Sequence, residues 1–210
     1  ESAKKKMKRK SKDCLVIFLK NPKIGNVKTR IAATLGDQKA LDIYLELLDT
    51  TIINTADKGF ETLLFFSENL NDLSQYPYER RLQVSGDLGN KLKSAIDEVL
   101  NTMDKCLIIG SDCPYINNEI ILEAFQSLQD HDLVLGPTPD GGYYLIGLKQ
   151  NEKSLFEDIS WSTDSVFAQT ISAAKNAKLS TYLLPILTDV DHASDWDDYL
   201  SWKNNQPTKA

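Results

Sequence analysis

Short, almost unbroken apolar runs, each ended by glycine, proline or aspartate, are the feature that most limits how this chain can fold. The run at 107–109 is typical, because Leu-Ile-Ile is followed by Gly110, which allows a sharp turn, and then by Asp112. Runs of this kind predict strands that are buried on both faces, as in a parallel sheet. Asp112 is therefore expected just beyond the carboxyl end of a strand, where open α/β sheets bind their ligands.

Similar runs recur along the chain and predict further strands at 14–19, 63–66, 133–135, 143–148 and 182–184. Apolar residues at helical spacing predict helices between these runs, the first of them from about Asp37. The segments 20–30 and 67–86 are polar and predict loops. Strands that alternate with helices predict an α/β fold with a mostly parallel sheet.

Length and charge favour one acidic domain behind a basic tail. The 210 residues suffice for one well-cored domain, which we place at 13–205. Residues 1–12 hold seven of the 24 basic residues and are interpreted as a disordered tail, although contact with nucleic acid or anionic lipid is the alternative. From residue 13 onward there are 17 basic and 29 acidic residues, which argues against nucleic acid as a main partner.

Two absences in the sequence favour a cytoplasmic protein. No apolar run is long enough to span a bilayer and no signal-peptide pattern opens the chain, so no stable membrane insertion is expected. Three cysteines without metal-ligand spacing argue against a disulfide framework, and Cys14 and Cys106 are interpreted as core residues. The sequence leaves the oligomeric state unknown.

The loop after the first strand is a candidate anion site. It contains four basic side chains and one glycine, among them Gly25, Lys28 and Arg30, and it leads into a helix. It is not a Walker A loop, because Val27 stands before Lys28 where glycine is required, and no second or third glycine completes a dinucleotide fingerprint. A basic surface loop without a ligand is the alternative.

Three aspartates form a candidate cation site. Asp112, Asp189 and Asp191 each follow a strand-like run, so all three are expected at one edge of the sheet. Neighbouring carboxylates repel one another unless a cation lies between them, and Mg²⁺ is suited to one or two carboxylates plus substrate phosphates. The alternatives are that Asp112 caps the helix that starts near Asn117 and that the other two aspartates form turns.

Two glycine-containing motifs are also candidates for ligand contact. In the segment 139–143, two glycines allow close approach of a ligand, and Asp140 is suited to accept a proton or to bind a sugar hydroxyl. Gly86 and Asp87 lie at the start of a predicted helix. A common turn explains the first motif equally well, and a tight turn with a helix cap explains the second.

Together these motifs resemble the nucleotide-diphospho-sugar transferase superfamily, over roughly residues 14–200. The resemblance rests on 28–30 (Lys-Thr-Arg), 86–89 (Gly-Asp-Leu-Gly), 110–114 (Gly-Ser-Asp-Cys-Pro), 139–143 (Pro-Asp-Gly-Gly-Tyr), 161–163 (Trp-Ser-Thr) and 189–191 (Asp-Val-Asp). Within the superfamily, the chain is most similar to a bacterial glycosyltransferase family associated with arsenosugar biosynthesis. A more distant similarity is to the 2-phospho-lactate guanylyltransferases. Lys91 and His192 depart from the pattern, which has arginine and threonine at these places.

The resemblance implies a single-domain, Rossmann-like (GT-A type) three-layer α/β/α sandwich. It also implies a transferase that uses Mg²⁺ or Mn²⁺ and a nucleotide-activated donor. By position, Asp112, Asp189 and Asp191 would be metal ligands. We predict Asp112 and Asp140 as catalytic residues, with Asp140 on the acceptor side as a base or as an anchor for a hydroxyl group. The nucleotide would be bound by Gly25, Lys28, Arg30, Gly86 and Asp87.

The expected activity is transfer of a sugar from a nucleotide-sugar to a small-molecule acceptor. The first alternative is a nucleotidylyltransferase that joins an NTP to a phosphorylated small acid. The second alternative is a nucleotide-binding module without catalytic activity.

Overall fold

The carboxyl ends of parallel strands create the edge on which the candidate site is built. A computed structural model describes residues 12–56, 59–70 and 73–206 of the chain. Within these residues, seven strands form one sheet: β1 (Asp13–Leu19), β2 (Glu61–Phe66), β3 (Glu79–Leu82), β4 (Lys105–Ile109), β5 (Leu133–Pro137), β6 (Tyr143–Leu148) and β7 (Thr181–Leu183). Their order is β3-β2-β1-β4-β6-β5-β7. Only β6 runs antiparallel to its neighbours, so the prediction of a mostly parallel sheet is confirmed.

Helices connect most of these strands. They are α1 (Thr29–Leu35), α2 (Asp37–Asn54), α3 (Leu88–Leu100), α4 (Asn118–Ser127), α5 (Val166–Asn176) and α6 (Ala193–Asn204), and a short 3₁₀ turn covers Lys153–Phe156. Among the described residues, no helix has both the length and the apolar character that crossing a membrane requires.

The alternation of side chains along the buried strands produces the three layers. In β4, Leu107 and Ile109 pack into the hydrophobic cluster that includes α2 and α4, whereas Cys106 and Ile108 pack into the cluster that includes α3 and α5. Every residue of β4 is buried, as expected for a central strand covered by helices on both faces. The predicted three-layer α/β/α sandwich is therefore confirmed.

Two elements depart from the sequence-based expectation. β3 lies within the segment 67–86 that was predicted to be a loop. It is an edge strand of sequence Glu-Arg-Arg-Leu and therefore lacks the apolar run of a buried strand. The helix α1 precedes the helix expected from Asp37, and Gly36 separates the two.

The predicted basic tail lies almost entirely outside the described residues, because the description begins at Lys12. Lys12 is joined to the loop before β4, since its backbone N–H donates to the carboxylate of Asp104 at 2.9 Å. The three cysteines, Cys14, Cys106 and Cys113, are buried and free, in agreement with the absence of a disulfide framework.

Asn21 joins the loops that follow β1 and β2. This side chain is buried, and its Nδ2 donates to the backbone oxygen of Asn69 at 2.9 Å. Its Oδ1 accepts from the backbone N–H groups of Glu68 at 2.9 Å and Asn69 at 3.3 Å. One buried amide therefore satisfies three backbone groups of a neighbouring loop and fixes the two loops relative to each other.

We expect Asn21→Ala to lower the free energy of unfolding by about 1–3 kcal/mol, because it removes a buried side-chain amide that forms hydrogen bonds with three backbone groups of the neighbouring loop. Chemical denaturation monitored by circular dichroism measures this change. Asn204→Ala is a suitable control, since Asn204 is exposed and its side chain forms no hydrogen bond among the described residues, so a change of less than about 0.5 kcal/mol is expected there. Equal stability losses in the two variants would contradict the role given to Asn21.

Candidate functional site

A cleft of about 730 Å³ lies at the carboxyl edge of the sheet. Five of the residues predicted for the site contribute to its lining, namely Lys28, Arg30, Asp112, Asp189 and Asp191. The other four predicted residues are described by the structure but do not line the cleft; they are Gly25, Gly86, Asp87 and Asp140. The structure therefore brings the basic loop and the three aspartates together.

Lys28 is the central charge of this arrangement. It adopts a left-handed backbone conformation with φ of 47° directly before α1, and its side chain is only 5% exposed. The ammonium Nζ lies 2.5 Å from Oδ1 of Asp112 and 3.3 Å from Oδ1 of Asp191, and it donates to the backbone oxygen of Val190 at 2.7 Å. Lys28 therefore joins the loops after β1, β4 and β7.

Arg30 is the second cation of the basic loop and is far more accessible. Its side chain is 65% exposed, and Nη1 lies 3.2 Å from Oδ2 of Asp191. An exposed ion pair of this kind contributes little to stability. Its guanidinium can therefore turn toward an incoming phosphate at small cost and bind it with two parallel hydrogen bonds.

Asp112 does not cap the helix that follows it. The cap of α4 is Asn117, whose Oδ1 accepts from the backbone N–H of Ile120 at 3.0 Å. The carboxylate of Asp112 is half exposed and points toward Lys28, while its backbone oxygen accepts from the N–H of Val190 at 2.9 Å. This geometry leaves the side chain of Asp112 available to the cleft.

Asp189 experiences the negative charge of the site most strongly. Burial, followed by repulsion from Asp112 and Asp191, raises its pKa to about 7, and the positive charge of Lys28 opposes this shift. A carboxylate whose ionised form is disfavoured by like charges gains when a further cation arrives. The three aspartates are therefore a place where a cation would be stabilised.

The donor set fits Mg²⁺ or Mn²⁺, because carboxylate oxygens are the protein ligands that hard cations prefer. Within the described residues, however, no three His, Cys, Asp or Glu side chains are arranged around one point. Mg²⁺ commonly uses one or two carboxylates and completes its shell with water and substrate phosphates. The site therefore fits an ion that shares its ligands with a bound nucleotide.

Asp140 has a clear structural role in the turn between β5 and β6. It is exposed, and its Oδ1 accepts from Thr138 Oγ1 at 2.5 Å and from the backbone N–H of Gly142 at 3.2 Å. The carboxylate therefore closes the turn, as the alternative interpretation of this motif proposed. The charge of Asp140 also contributes to the raised pKa of Asp189.

The glycine motifs also have local structural roles. Asp87 caps α3, since its Oδ1 accepts from the backbone N–H of Asn90 at 2.8 Å. Gly86 has φ of 116° and Gly25 has φ of 79°. Residues other than glycine rarely adopt either backbone conformation. Contact of these three residues with a nucleotide stays a prediction.

Gln83 lines the cleft and was not identified from the sequence. Its Nε2 donates to the backbone oxygen of Leu19 at 3.3 Å and to that of Phe65 at 2.9 Å, which orients the side-chain amide. Lys91 lines the same cleft, although the resemblance gave it no role. Gln83 follows an edge strand without apolar alternation, so no sequence pattern indicated that it faces a ligand site.

The mostly parallel α/β/α sandwich, with a cleft of basic and acidic side chains at its carboxyl edge, is an architecture that this chain shares with nucleotide-utilising transferases. The chain belongs to the family described as "uncharacterized protein conserved in bacteria" (DUF2064), whose sequence model matches residues 54–163. That span includes Asp112 and Asp140, whereas the basic loop and the two late aspartates lie outside it.

Two curated relatives are 2-phospho-L-lactate guanylyltransferases of Methanocaldococcus. The protein from M. vulcanius is 24% identical over 179 residues, which cover 80% of this chain and 75% of the relative. The protein from M. jannaschii is 25% identical over 191 residues, which cover 89% of this chain and 82% of the relative. The distant similarity to guanylyltransferases is therefore confirmed.

Three solved structures share the fold. One, from Desulfovibrio desulfuricans G20, is described as a "putative nucleotide-diphospho-sugar transferase", with 27% identity, a TM-score of 0.86 and coverage of 95% of this chain and 90% of that chain. The inositol-1-phosphate CTP transferase of T. maritima has 14% identity and a TM-score of 0.59, and the match covers 89% of this chain and 92% of that chain. A manganese complex from Mycobacterium tuberculosis H37Rv has 9% identity, a TM-score of 0.55 and coverage of 91% and 99%.

The resemblance to the nucleotide-diphospho-sugar transferase superfamily is thus confirmed. The last two structures are similar in fold alone. The association with arsenosugar biosynthesis stays a prediction, since none of these relatives bears on it.

We expect Lys28→Met to weaken binding of GTP, measured without metal, by about 1.5–3 kcal/mol, the range for a hydrogen bond to a charged group. Without this ammonium, three carboxylates would face the triphosphate. For the same reason Lys28→Met should bind Mn²⁺ alone more tightly than the wild type does. Calorimetric titration measures both affinities.

Lys23→Met is the matched control, because Lys23 lies in the same loop, is exposed and does not line the cleft. If the GTP affinity falls equally in both variants, the effect of Lys28→Met comes from the loss of one positive charge and not from a specific contact of Lys28. Unchanged affinity in Lys28→Met would remove Lys28 from the binding site.

Proposed function

We propose that this protein is a metal-dependent nucleotidylyltransferase that joins an NTP to a phosphorylated small acid. The observation that carries the proposal is the contact of Lys28 with Asp112 and Asp191 at the cleft, which unites an anion-binding loop with a cation-binding cluster. Sugar transfer from a nucleotide-sugar, the activity first expected from the sequence, is the second candidate. It is supported by the 27% identical structure from D. desulfuricans.

Two observations favour nucleotidyl transfer over sugar transfer. Both curated relatives described above are named guanylyltransferases, and their matches extend over most of this chain. In addition, the carboxylate of Asp140 is hydrogen-bonded within its own turn and does not line the cleft, so it is poorly placed to remove a proton from an acceptor hydroxyl. A phosphate acceptor needs no such base, because its oxygens are largely ionised at neutral pH.

In the proposed reaction, an oxygen of the acceptor phosphate attacks the α-phosphorus of the NTP. The bond between the α-phosphorus and its bridging oxygen breaks, and pyrophosphate leaves with the bonding electrons. Lys28 and Arg30 would bind the β- and γ-phosphates, where negative charge accumulates as this bond breaks. Asp112, Asp189 and Asp191 would hold Mg²⁺ or Mn²⁺, which supplies charge neutralisation for the leaving group.

Lys28 would change partners as the nucleotide binds. Its ammonium contacts the carboxylates of Asp112 and Asp191, and a triphosphate in the cleft offers further oxygens for the same group. Asp112 and Asp191 would then be released to share a divalent ion with the phosphates. This exchange accounts for the absence of a preassembled three-ligand group among the described residues.

The wild-type protein is expected to release pyrophosphate when GTP, Mn²⁺ and 2-phospho-L-lactate are supplied together, and not when the acid is omitted. A coupled phosphate assay with the other three NTPs and with phosphoenolpyruvate tests the generality of the reaction. Asp112→Asn, which removes a proposed metal ligand, is the inactive control. Release of a nucleoside diphosphate from a nucleotide-sugar, without pyrophosphate from any NTP, would reject the proposal in favour of sugar transfer.

Asp140→Asn separates the two candidates within one protein. If the acceptor is a phosphate, we expect kcat to change by less than about threefold, since no base is required. If the acceptor is a hydroxyl and Asp140 is its base, kcat should fall by about 10²–10⁴-fold. The kcat values of the variant and the wild type are measured as initial rates at saturating substrate concentrations. The melting temperature of the variant shows whether its fold is intact.

A further inference from the structure

The segment 158–165, here called the strap, contains the Trp-Ser-Thr motif, to which the proposed function gives no role. In space, the strap extends from the first turn of α3, which Trp161 contacts, to the turn between β5 and β6, which Asp164 contacts. At its centre Ser162 has φ of 65°, a left-handed conformation that serine rarely adopts. Ser162 is exposed and lines the cleft. Strained residues of this kind persist where the surrounding structure fixes them, often at ligand sites.

The first half of the strap is held in place by Trp161. The indole ring of Trp161 stacks on Phe156 with ring centroids 6.5 Å apart. It also lies directly against Gly89 in α3, so that a Cβ at Gly89 would collide with the ring. Gly89, the second glycine of the Gly-Asp-Leu-Gly motif, is therefore required by this contact, independently of any contact with a nucleotide.

The other end of the strap is fixed at Gly141. A Cβ at Gly141 would collide with the backbone oxygen of Asp164, and the oxygen of Gly141 accepts from the N–H of Phe167 at 2.8 Å. One glycine of the Asp-Gly-Gly-Tyr motif thus allows the strap to lie on the turn that carries Asp140. Two glycine motifs that are distant in sequence hold the same segment.

Hydrogen bonds within the strap stabilise its shape and leave Ser162 without a partner. Thr163 Oγ1 donates to the backbone oxygen of Ser160 at 2.7 Å, and the side chain of Gln169 accepts from the N–H of Ser160 at 2.7 Å. Among the described residues, no group forms a hydrogen bond with the backbone N–H or the hydroxyl of Ser162. Two hydrogen-bond donors of a residue that lines the cleft are therefore without a partner within the described residues.

We propose that the strap is the acceptor-side wall of the cleft and that Ser162 binds a carboxylate or phosphate oxygen of the acceptor acid. This inference rests on the proposed function. The nucleotide phosphates are assigned to the basic loop after β1. One part of the strap packs on α3, and the other part contacts the turn between β5 and β6, on the far side of β4 from that loop. A pair of N–H and O–H donors suits an anionic oxygen.

The test is the kinetics of pyrophosphate release with GTP, Mn²⁺ and 2-phospho-L-lactate. Ser162→Ala removes the hydroxyl and is expected to raise the KM for 2-phospho-L-lactate by about tenfold, which corresponds to loss of a hydrogen bond to a charged group. The KM for GTP should stay within about twofold of the wild-type value, because the nucleotide side of the cleft is unchanged. Ser162→Gly, which removes the hydroxyl and also the backbone strain, is a second variant in case the alanine variant is unstable.

Lys178→Ala is the matched control. Lys178 also has a left-handed conformation, with φ of 59°, and it is exposed but does not line the cleft. If it raises the acceptor KM as much as Ser162→Ala does, or if Ser162→Ala leaves that KM unchanged, the inference is overturned. A rise in the KM for GTP alone would place Ser162 on the nucleotide side and overturn it too.

A wild-type protein that releases no pyrophosphate with 2-phospho-L-lactate, phosphoenolpyruvate or 3-phosphoglycerate rejects the proposed function itself, and the inference falls with it. A wild type that turns over, with Ser162 variants that behave as the wild type does, rejects the inference alone.

Discussion

The contact of one buried ammonium group with two carboxylates determines how this site is assembled. Lys28 joins loops that follow three different strands, and it does so with a side chain that is almost completely removed from solvent. A buried ammonium is tolerated only when charges and hydrogen bonds compensate its desolvation, and here two carboxylates and one carbonyl oxygen do so. The same carboxylates would repel one another without it. The geometry of the site is therefore held by charge rather than by packing alone.

The sheet makes this arrangement possible because it places loops that are distant in sequence at one edge. Lys28 follows β1, Asp112 follows β4 and Asp191 follows β7, although β7 lies at the border of the sheet. The chain after β7 must return toward the centre, and the hydrogen bond from Val190 N–H to the oxygen of Asp112 fixes that return. The polar site thus depends on a few backbone contacts above a core that is mostly apolar.

Much of the fold could be predicted from the sequence, because strands such as 14–19 and 105–109 are buried on both faces and therefore read as apolar runs. The edge strand Glu79–Leu82 could not be predicted in this way, because its side chains are mostly exposed to solvent and form no apolar run. Its pairing with β2 leaves no pattern in the local sequence. The three aspartates and Lys28 were identified because each follows such a run. Their mutual pairing was not, because it depends on the direction of side chains across loops that are 84 and 163 residues apart in the sequence.

The single antiparallel strand has a consequence for how such a protein can diversify. Parallel strands require a long connection, but β5 and β6 are joined by a short turn, and this turn contacts the strap. Changes of length or sequence there leave the order of β1 and β4, and the loops that carry Lys28 and Asp112, undisturbed. Under the proposed function the molecule would be modular in this sense: one half of the sheet would keep the binding of phosphates constant, while the other would offer a separable surface on which a different acceptor could be accommodated.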